Sequence, residues 1–415
     1  MMRKNLTLIL IFIGIFAGTI WVGAAKSAQP GSEQRLLLIS FDGFRWDYFD
    51  KCATPNFDRI IANGVKAKSL IPVFPSLTFP NHFSIVTGLY PENHGIISNY
   101  MFDPELGAYF SLRDENALTN GIWWGGEPIW ITAEKQGVRA ATFFWVGSEA
   151  EIGGVRPSIV KKYDGHFSNK TRVDSVLAWL DYPEKKRPQL MTLYFSFIDH
   201  IGHAFGPDSE EIVAAVGEAD SLIGLLYDGI QQQAQQKRPN LVVVSDHGMA
   251  EINESDVIVI DDYIDLAEVE YADWYVISTV LPKAGKTEKL YTQLKDAHPH
   301  LHVYKKNEVP ARFHFRNHRR IHPLVLIADP GWSVMTQKKY ERFRAGSRSV
   351  GGAHGYDNLE KDMHGIFLAV GPAIKKNVQI PAFQNIQIYN AMNHILGTKP
   401  AKNDGNLDSL RLIFK

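Results

Sequence analysis

Short continuous apolar runs alternate with longer stretches whose apolar residues recur at helical spacing. Arg35-Leu-Leu-Leu-Ile-Ser40 is apolar without alternation and ends in Phe41-Asp42-Gly43, which predicts a strand buried on both faces of a parallel sheet. Thr54-Pro55 then offers a cap and a first-turn proline, Phe57, Ile60 and Ile61 share one face, and Asn63-Gly64 ends the helix. The alternation returns with a helix over Pro128 to Gln136, a strand over Val138 to Trp145, a helix over Arg172 to Leu180 and a strand over Leu190 to Phe197. Ser209 caps a long helix to about Gln235, and Leu241-Val-Val-Val-Ser245 is a strand tipped by Asp246-His247-Gly248. Gly365 to Val370 reads as a further strand, and Asn385 to Leu396 as a closing helix stopped by Gly397. The predicted class is α/β, a three-layer α/β/α sandwich, with ligand sites at the carboxyl ends of its strands. From about 273 to 348 Lys, Arg, His and Pro crowd between short apolar segments. That predicts a small inserted or peripheral subdomain, with no catalytic group expected in it.

Composition and charge narrow the function classes. Met1-Met2-Arg3-Lys4 precede an apolar run from Leu6 to Val22 and the small residues Gly23-Ala24-Ala25-Lys26-Ser27-Ala28. This predicts a signal peptide over residues 1–28, cut after Ala25 or Ser27, and a catalytic domain over 29–415. An uncleaved anchor is the alternative. The expected location is periplasmic or secreted. Cleavage removes Arg3, Lys4 and Lys26 and takes the formal charge from −1 to about −4. With no basic run, neither a nucleic-acid polymer nor an anionic membrane is an expected partner, and no obligate protein partner is evident. Cys52 is the only cysteine, so no internal disulfide forms.

Several acids and imidazoles fall at strand ends. Asp42 follows the first strand, where a turn or cap role competes with a metal role. Asp246 and His247 sit together at another strand end, and zinc accepts carboxylate and imidazole alike. Asp199 and His203 stand four residues apart, one helical turn, whereas His200 faces elsewhere and reads as a bystander. His354 lies among glycines in Gly351-Gly-Ala-His-Gly-Tyr-Asp357, as a ligand or as an ordinary loop histidine. Two ions, one on Asp42, Asp246 and His247 and the other on Asp199, His203 and His354, would each keep an open position, the mark of a catalytic centre. Thr78, in Phe74-Pro-Ser-Leu-Thr-Phe-Pro-Asn-His82, is a candidate nucleophile and equally a helix cap.

With these residues in view, the chain resembles the nucleotide pyrophosphatase/phosphodiesterase family of the alkaline phosphatase superfamily. The matching stretches are Phe41-Asp-Gly-Phe-Arg45, Thr78 to Ile96, Phe144-Trp-Val-Gly-Ser148, Asp199 with Gly202-His203, Ser245-Asp-His-Gly-Met249 and His354-Gly-Tyr-Asp-Asn358. The resemblance implies an alkaline-phosphatase-like fold and two Zn2+ per chain, with Thr78 joining Asp42, Asp246 and His247 on one ion. It implies attack by Thr78 on phosphorus, hydrolysis of the phosphothreonine, and release of a nucleoside 5′-monophosphate. It also implies that Asn99, with the Thr78 backbone N–H, donates to a phosphate oxygen, and that Phe79 and Tyr163 stack a base in a pocket bordered by Trp145. These three aromatics could also be ordinary core packing. Leu77 and Tyr100 stand where some relatives carry lysines.

The expected ligand is therefore a small nucleotide or other phosphodiester. A phospholipid-headgroup or choline-phosphodiester hydrolase on the same two-zinc core is the alternative, and a non-catalytic periplasmic metal- or phosphate-binding protein the further one. A phosphomonoesterase also stays open. A sulfatase does not fit, because Thr78-Phe-Pro-Asn-His82 lacks both the Cys or Ser and the arginine that its motif needs.

Overall fold

In the computed structural model, which describes residues 34–346 and 350–415, the apolar run after Arg35 is a central strand of the main sheet. The expected leader over residues 1–28 lies outside the described residues. Eight strands make the sheet: β1 (Leu36–Phe41), β2 (Val65–Ala67), β3 (Ala140–Phe143), β4 (Ile159–Lys161), β5 (Leu190–Phe195), β6 (Asn240–Val244), β7 (Phe367–Val370) and β8 (Val378–Ile380). Their order is β8-β2-β7-β6-β1-β5-β3-β4. β1 pairs in parallel with β5 and β6, placing Leu36 opposite Leu190 and Asn240. β7 runs antiparallel to both of its neighbours.

The absence of alternation in β1 has a packing cause. Leu36 and Leu38 join one apolar cluster, whereas Leu37, Ile39 and Phe41 join another on the opposite face. One face is covered by Thr78–Thr87, Ile129–Lys135 and Ile388–Leu396, which contribute Phe83, Trp130 and Met392. The other is covered by Pro55–Ala62, Asn169–Leu180 and Glu210–Gln232, through Phe57, Val176 and Ile223. The architecture is a three-layer α/β/α sandwich.

Element ends differ from the sequence pattern where side-chain chemistry intervenes. The helix expected from Arg172 starts at Asn169, because Ser168 accepts the Thr171 N–H. The strand expected to reach Phe197 stops at Phe195, and Phe197 opens the helix Phe197–Phe205. Ser209 does cap the long helix, accepting from Ile212 N–H.

A second, antiparallel sheet joins Val269–Ala272, Ile277–Pro282, Leu324–Ala328 and Leu301–Lys305 in that spatial order. Val276, Val280 and Leu326 belong to the same apolar cluster as Leu36 and Leu38, so this sheet packs onto the main core. Among the described residues no helix is long and apolar enough to cross a membrane.

Candidate active site

The carboxyl ends of β1 and β6, and the helix that follows β5, converge on one crevice. β1 delivers Asp42, whose backbone N–H donates to Phe195 O at 2.9 Å. β6 delivers Asp246 and His247, both buried. Asp199 and His203 stand one turn apart on Phe197–Phe205 and face the same space. Gly43 has φ +70°, and a Cβ there would lie 3.0 Å from Asp199 Cα, so the β1 end comes this close only without a side chain. His354 enters from the loop after the strand Val350–Ala353.

Each of the three imidazoles is oriented by a backbone carbonyl. His247 Nδ1 meets Gly248 O at 2.8 Å, His203 Nδ1 meets Gly352 O at 2.8 Å, and His354 Nδ1 meets Ser76 O at 2.9 Å. A carbonyl only accepts, so each Nδ1 carries a proton, and each Nε2 is turned inward, where the neutral ring presents a lone pair. His354 Nε2 then lies 3.1 Å from His203 Nε2 and 3.5 Å from Asp199 Oδ1. His203 Nε2 lies 3.4 Å from Asp199 Oδ1. His247 Nε2 lies 3.0 Å from Asp246 Oδ2, 3.4 Å from Asp42 Oδ1 and 3.2 Å from Thr78 Oγ1.

Lone pairs and carboxylates at such separations repel unless a cation sits among them. Asp42 Oδ1, Asp199 Oδ1 and Asp246 Oδ2 are buried and have no hydrogen-bond donor among the described residues. Ligand atoms of Asp42, Asp246 and His247 lie within 4.8 Å of one another, as do those of Asp199, His247 and His354. His247 belongs to both groups and stacks on His354 at 3.6 Å between ring centroids. Nitrogen and oxygen donors in threes suit divalent zinc.

The electrostatics point the same way. Burial, with Asp246 and Asp199 nearby, pushes the Asp42 carboxyl well above the usual range. Burial opposes ionisation of Asp246 too, but His247 and His82 hold it well below that range. Burial, then His247 and His203, keep His354 far below the ordinary imidazole value. Burial works against a charged His247, yet Asp246 pulls it upward, so proton and metal compete for its Nε2.

Thr78 is the first residue of its helix, and Leu77 is the N-cap, with no side-chain cap bond. The Thr78 hydroxyl is therefore not a cap and faces His247. Asn99 Oδ1 accepts the Phe79 N–H at 2.9 Å, which leaves its Nδ2 as the outward donor. Asp42, Thr78, Asn99, Asp199, His203 and His354 open into a cavity of about 490 Å³ whose wall also includes Phe79, Tyr163, Trp145, Leu77 and Tyr100. Phe79 packs against Phe110 and Trp124, and Tyr163 is 47 % exposed. Trp145 is buried, its indole N–H donating to His82 O at 3.2 Å.

Other participants escaped the sequence reading. The Tyr194 hydroxyl donates to Asp42 Oδ2 at 2.5 Å. His82 places Nδ1 3.2 Å from Asp246 Oδ2 and 3.0 Å from Thr78 O. Its position four residues after Thr78 was an available signal, since that spacing shares a helix face. His200, read as a bystander, lines the cavity, and so do Asp273, Tyr275 and Lys339. The peripheral segment read as chemically silent therefore supplies part of the wall.

The chain matches the family model of type I phosphodiesterase / nucleotide pyrophosphatase over residues 36–357. A venom phosphodiesterase of Naja atra is 40% identical over 403 residues, 94% of this chain and 48% of that protein; the chain thus spans about half the length of the venom enzymes it matches. Human ectonucleotide pyrophosphatase/phosphodiesterase family member 5 is 36% identical, over 95% of this chain and 81% of its own length. Among solved structures, murine ectonucleotide pyrophosphatase/phosphodiesterase 5, as an inactive threonine-to-alanine variant in complex with AMP, superposes with a TM-score of 0.86 at 35% identity, covering 92% of this chain and 100% of that one. With the model spanning most of its length and its alkaline-phosphatase-like fold shared with these structures, the chain belongs to the type I phosphodiesterase / nucleotide pyrophosphatase family.

Proposed function

We propose that this protein is a zinc-dependent phosphodiesterase that cleaves nucleotides and their derivatives to a nucleoside 5′-monophosphate through a covalent phosphothreonine. The observation that carries the reading is the convergence of three Nε2 atoms, on rings whose Nδ1 faces a backbone carbonyl, and three carboxylate oxygens without a hydrogen-bond donor among the described residues, beside the Thr78 hydroxyl. Asp42, Asp246 and His247, with Thr78, would hold one zinc ion, and Asp199, His203 and His354 the other. Bound there, the ions supply positive charge that acidifies hydroxyl groups and offsets charge developing on phosphate oxygens.

The rest falls to the chain's own groups. Thr78 Oγ1 attacks phosphorus, the group on the far side departs, and water then cleaves the phosphothreonine. Helix Thr78–Thr87 begins at the nucleophile, and because the Phe79 N–H is taken by Asn99 Oδ1, Pro80 has no N–H and the Asn81 N–H bonds Leu77 O, the Thr78 N–H is the first-turn donor left for the anion. Asn99 Nδ2, oriented by the Phe79 N–H, donates to a non-bridging oxygen. An uncharged donor there suits a diester with one negative charge. Phe79 and Tyr163 hold the base at the open end, with Trp145 behind them. The AMP complex of the murine relative and its inactivity as a threonine-to-alanine variant support both halves of this reading. We assign the catalytic domain to residues 29–415, exported by the leader to the periplasm or the medium.

The test is hydrolysis of a panel holding a dinucleoside polyphosphate, a nucleotide sugar, a nucleoside triphosphate and glycerophosphocholine, with zinc measured on the same sample. Nucleoside 5′-monophosphate is the expected product, and two zinc ions per chain the expected content. Thr78→Ala is expected to lower kcat by a factor of about 10³ or more with zinc retained. Release of choline or phosphocholine alone would replace the nucleotide reading, and metal retention without turnover would leave a binding protein.

A further inference from the structure

The cavity continues past the metal-ligand cluster onto the peripheral sheet, where Asp273, Tyr275 and Lys339 share its wall with Thr78 and His354. The chain is tightly folded at this junction. A Cβ on Gly355, next to His354, would lie 2.7 Å from Val276 Cγ2 and 2.9 Å from Leu77 Cδ2. Lys339, in the helix Gln337–Arg344, donates its ammonium to Trp274 O at 2.6 Å, which pins it beside Asp273. The Asp273 carboxylate has no hydrogen-bond donor among the described residues, and Lys339 is the charge that bears on it. Burial raises the Asp273 carboxyl and holds the Lys339 ammonium below the ordinary lysine value. Neither group is spent on a direct ion pair, so both keep bonding capacity toward the cavity. Nearer the phosphate position, Leu77 and Tyr100 bring no cation. The peripheral segment thus adds one cation and one anion to a wall whose other charged side chains outside the metal-ligand cluster are Arg113 and Glu149.

We propose that Asp273 and Lys339 form the leaving-group subsite and sort substrates by the charge carried beyond the scissile phosphate. Lys339 matches a single additional negative charge, as on a dinucleoside diphosphate or a nucleotide sugar. The more highly charged tail of a nucleoside triphosphate meets the Asp273 carboxylate and is disfavoured. This inference rests on the phosphodiesterase reading above and names the substrate class of that same site.

The experiment compares kcat/KM on zinc-loaded protein for three probes: the 4-nitrophenyl ester of thymidine 5′-monophosphate, a dinucleoside diphosphate and adenosine triphosphate. Asp273→Asn is expected to raise the triphosphate-to-nitrophenyl ratio roughly fivefold or more, the scale of one unit charge in a partly dry cavity. Lys339→Gln is expected to lower the dinucleotide-to-nitrophenyl ratio by a similar factor, and Asp273→Glu to restore the native triphosphate ratio. Ratios equal to the native ones in Asp273→Asn and Lys339→Gln, with native zinc content and thermal midpoint, overturn the subsite. Failure of the native protein to cleave the nitrophenyl ester at all would remove the phosphodiesterase reading and the subsite with it.

Discussion

A histidine whose Nδ1–H is committed to a carbonyl has one nitrogen left to use, and three such histidines aim that nitrogen into one space. Each orienting carbonyl is main chain, of Gly248, Gly352 or Ser76, so these three imidazoles are held by backbone rather than by flexible side chains. Tyr194 does the same for Asp42 through its hydroxyl. Tyr194→Phe is expected to weaken zinc affinity by roughly tenfold, measured by competition with a chelating dye; unchanged affinity would mean that the hydroxyl positions nothing. Asp42, Asp199, Asp246 and His247 were legible because polar residues ending or following apolar runs stand out. Tyr194 was not legible, because it sits inside such a run, where an aromatic that packs and an aromatic that also donates look alike.

At the scale of elements, the site depends on how closely strand ends approach their neighbours. A Cβ on Gly248 would lie 2.1 Å from Asp362 O and 2.8 Å from His364 O, a contact the following loop cannot escape without moving His247. Gly248→Ala is expected to destabilise the fold by about 2 kcal/mol or more and to lose zinc, seen as a lower urea midpoint and incomplete metal content. Ser209→Ala makes the contrasting case. It removes the Oγ that accepts Ile212 N–H at 3.3 Å and is expected to cost about 1 kcal/mol with zinc content unchanged. The antiparallel course of β7 could not be read from the chain, because residues buried on both faces carry no record of strand direction.

Across the whole molecule, several buried histidines outside the candidate metal cluster resist protonation. His94 donates from Nε2 to Ser84 Oγ and accepts Ile96 N–H at Nδ1, an arrangement that requires the neutral ring. Burial, reinforced by His318, brings it down to about 3, and burial brings His322 and His364 each to about 4, against an ordinary 6.5. The unfolded chain takes up protons below 6.5 that the folded chain refuses. Stability is therefore complete above that value and falls as pH drops, by up to about 1.4 kcal/mol per pH unit for each such histidine. Urea unfolding of zinc-saturated protein should show a clearly lower midpoint at pH 5 than at pH 7.5, and equal midpoints would exclude it. Chelation at pH 7.5 should also lower the thermal midpoint, because the carboxylates of Asp42, Asp199 and Asp246 then face one another across a dry crevice. Restoration of the midpoint by added zinc would assign the effect to the metal.

The order of residues alone determined the alternation of strands and helices, hence the layered sheet, because burying a strand on both faces demands an uninterrupted apolar run. It also marked the acids and imidazoles at the strand ends, since such groups are costly anywhere else near a core. Only the tertiary structure decided which of them share a space and which nitrogen each imidazole presents. It alone brought Asp273 and Lys339, from a segment the pattern left chemically silent, to the wall of the same cavity. Those outcomes depend on distances between segments far apart in the chain, and hydrophobic periodicity records only what a residue's own neighbours along the chain require.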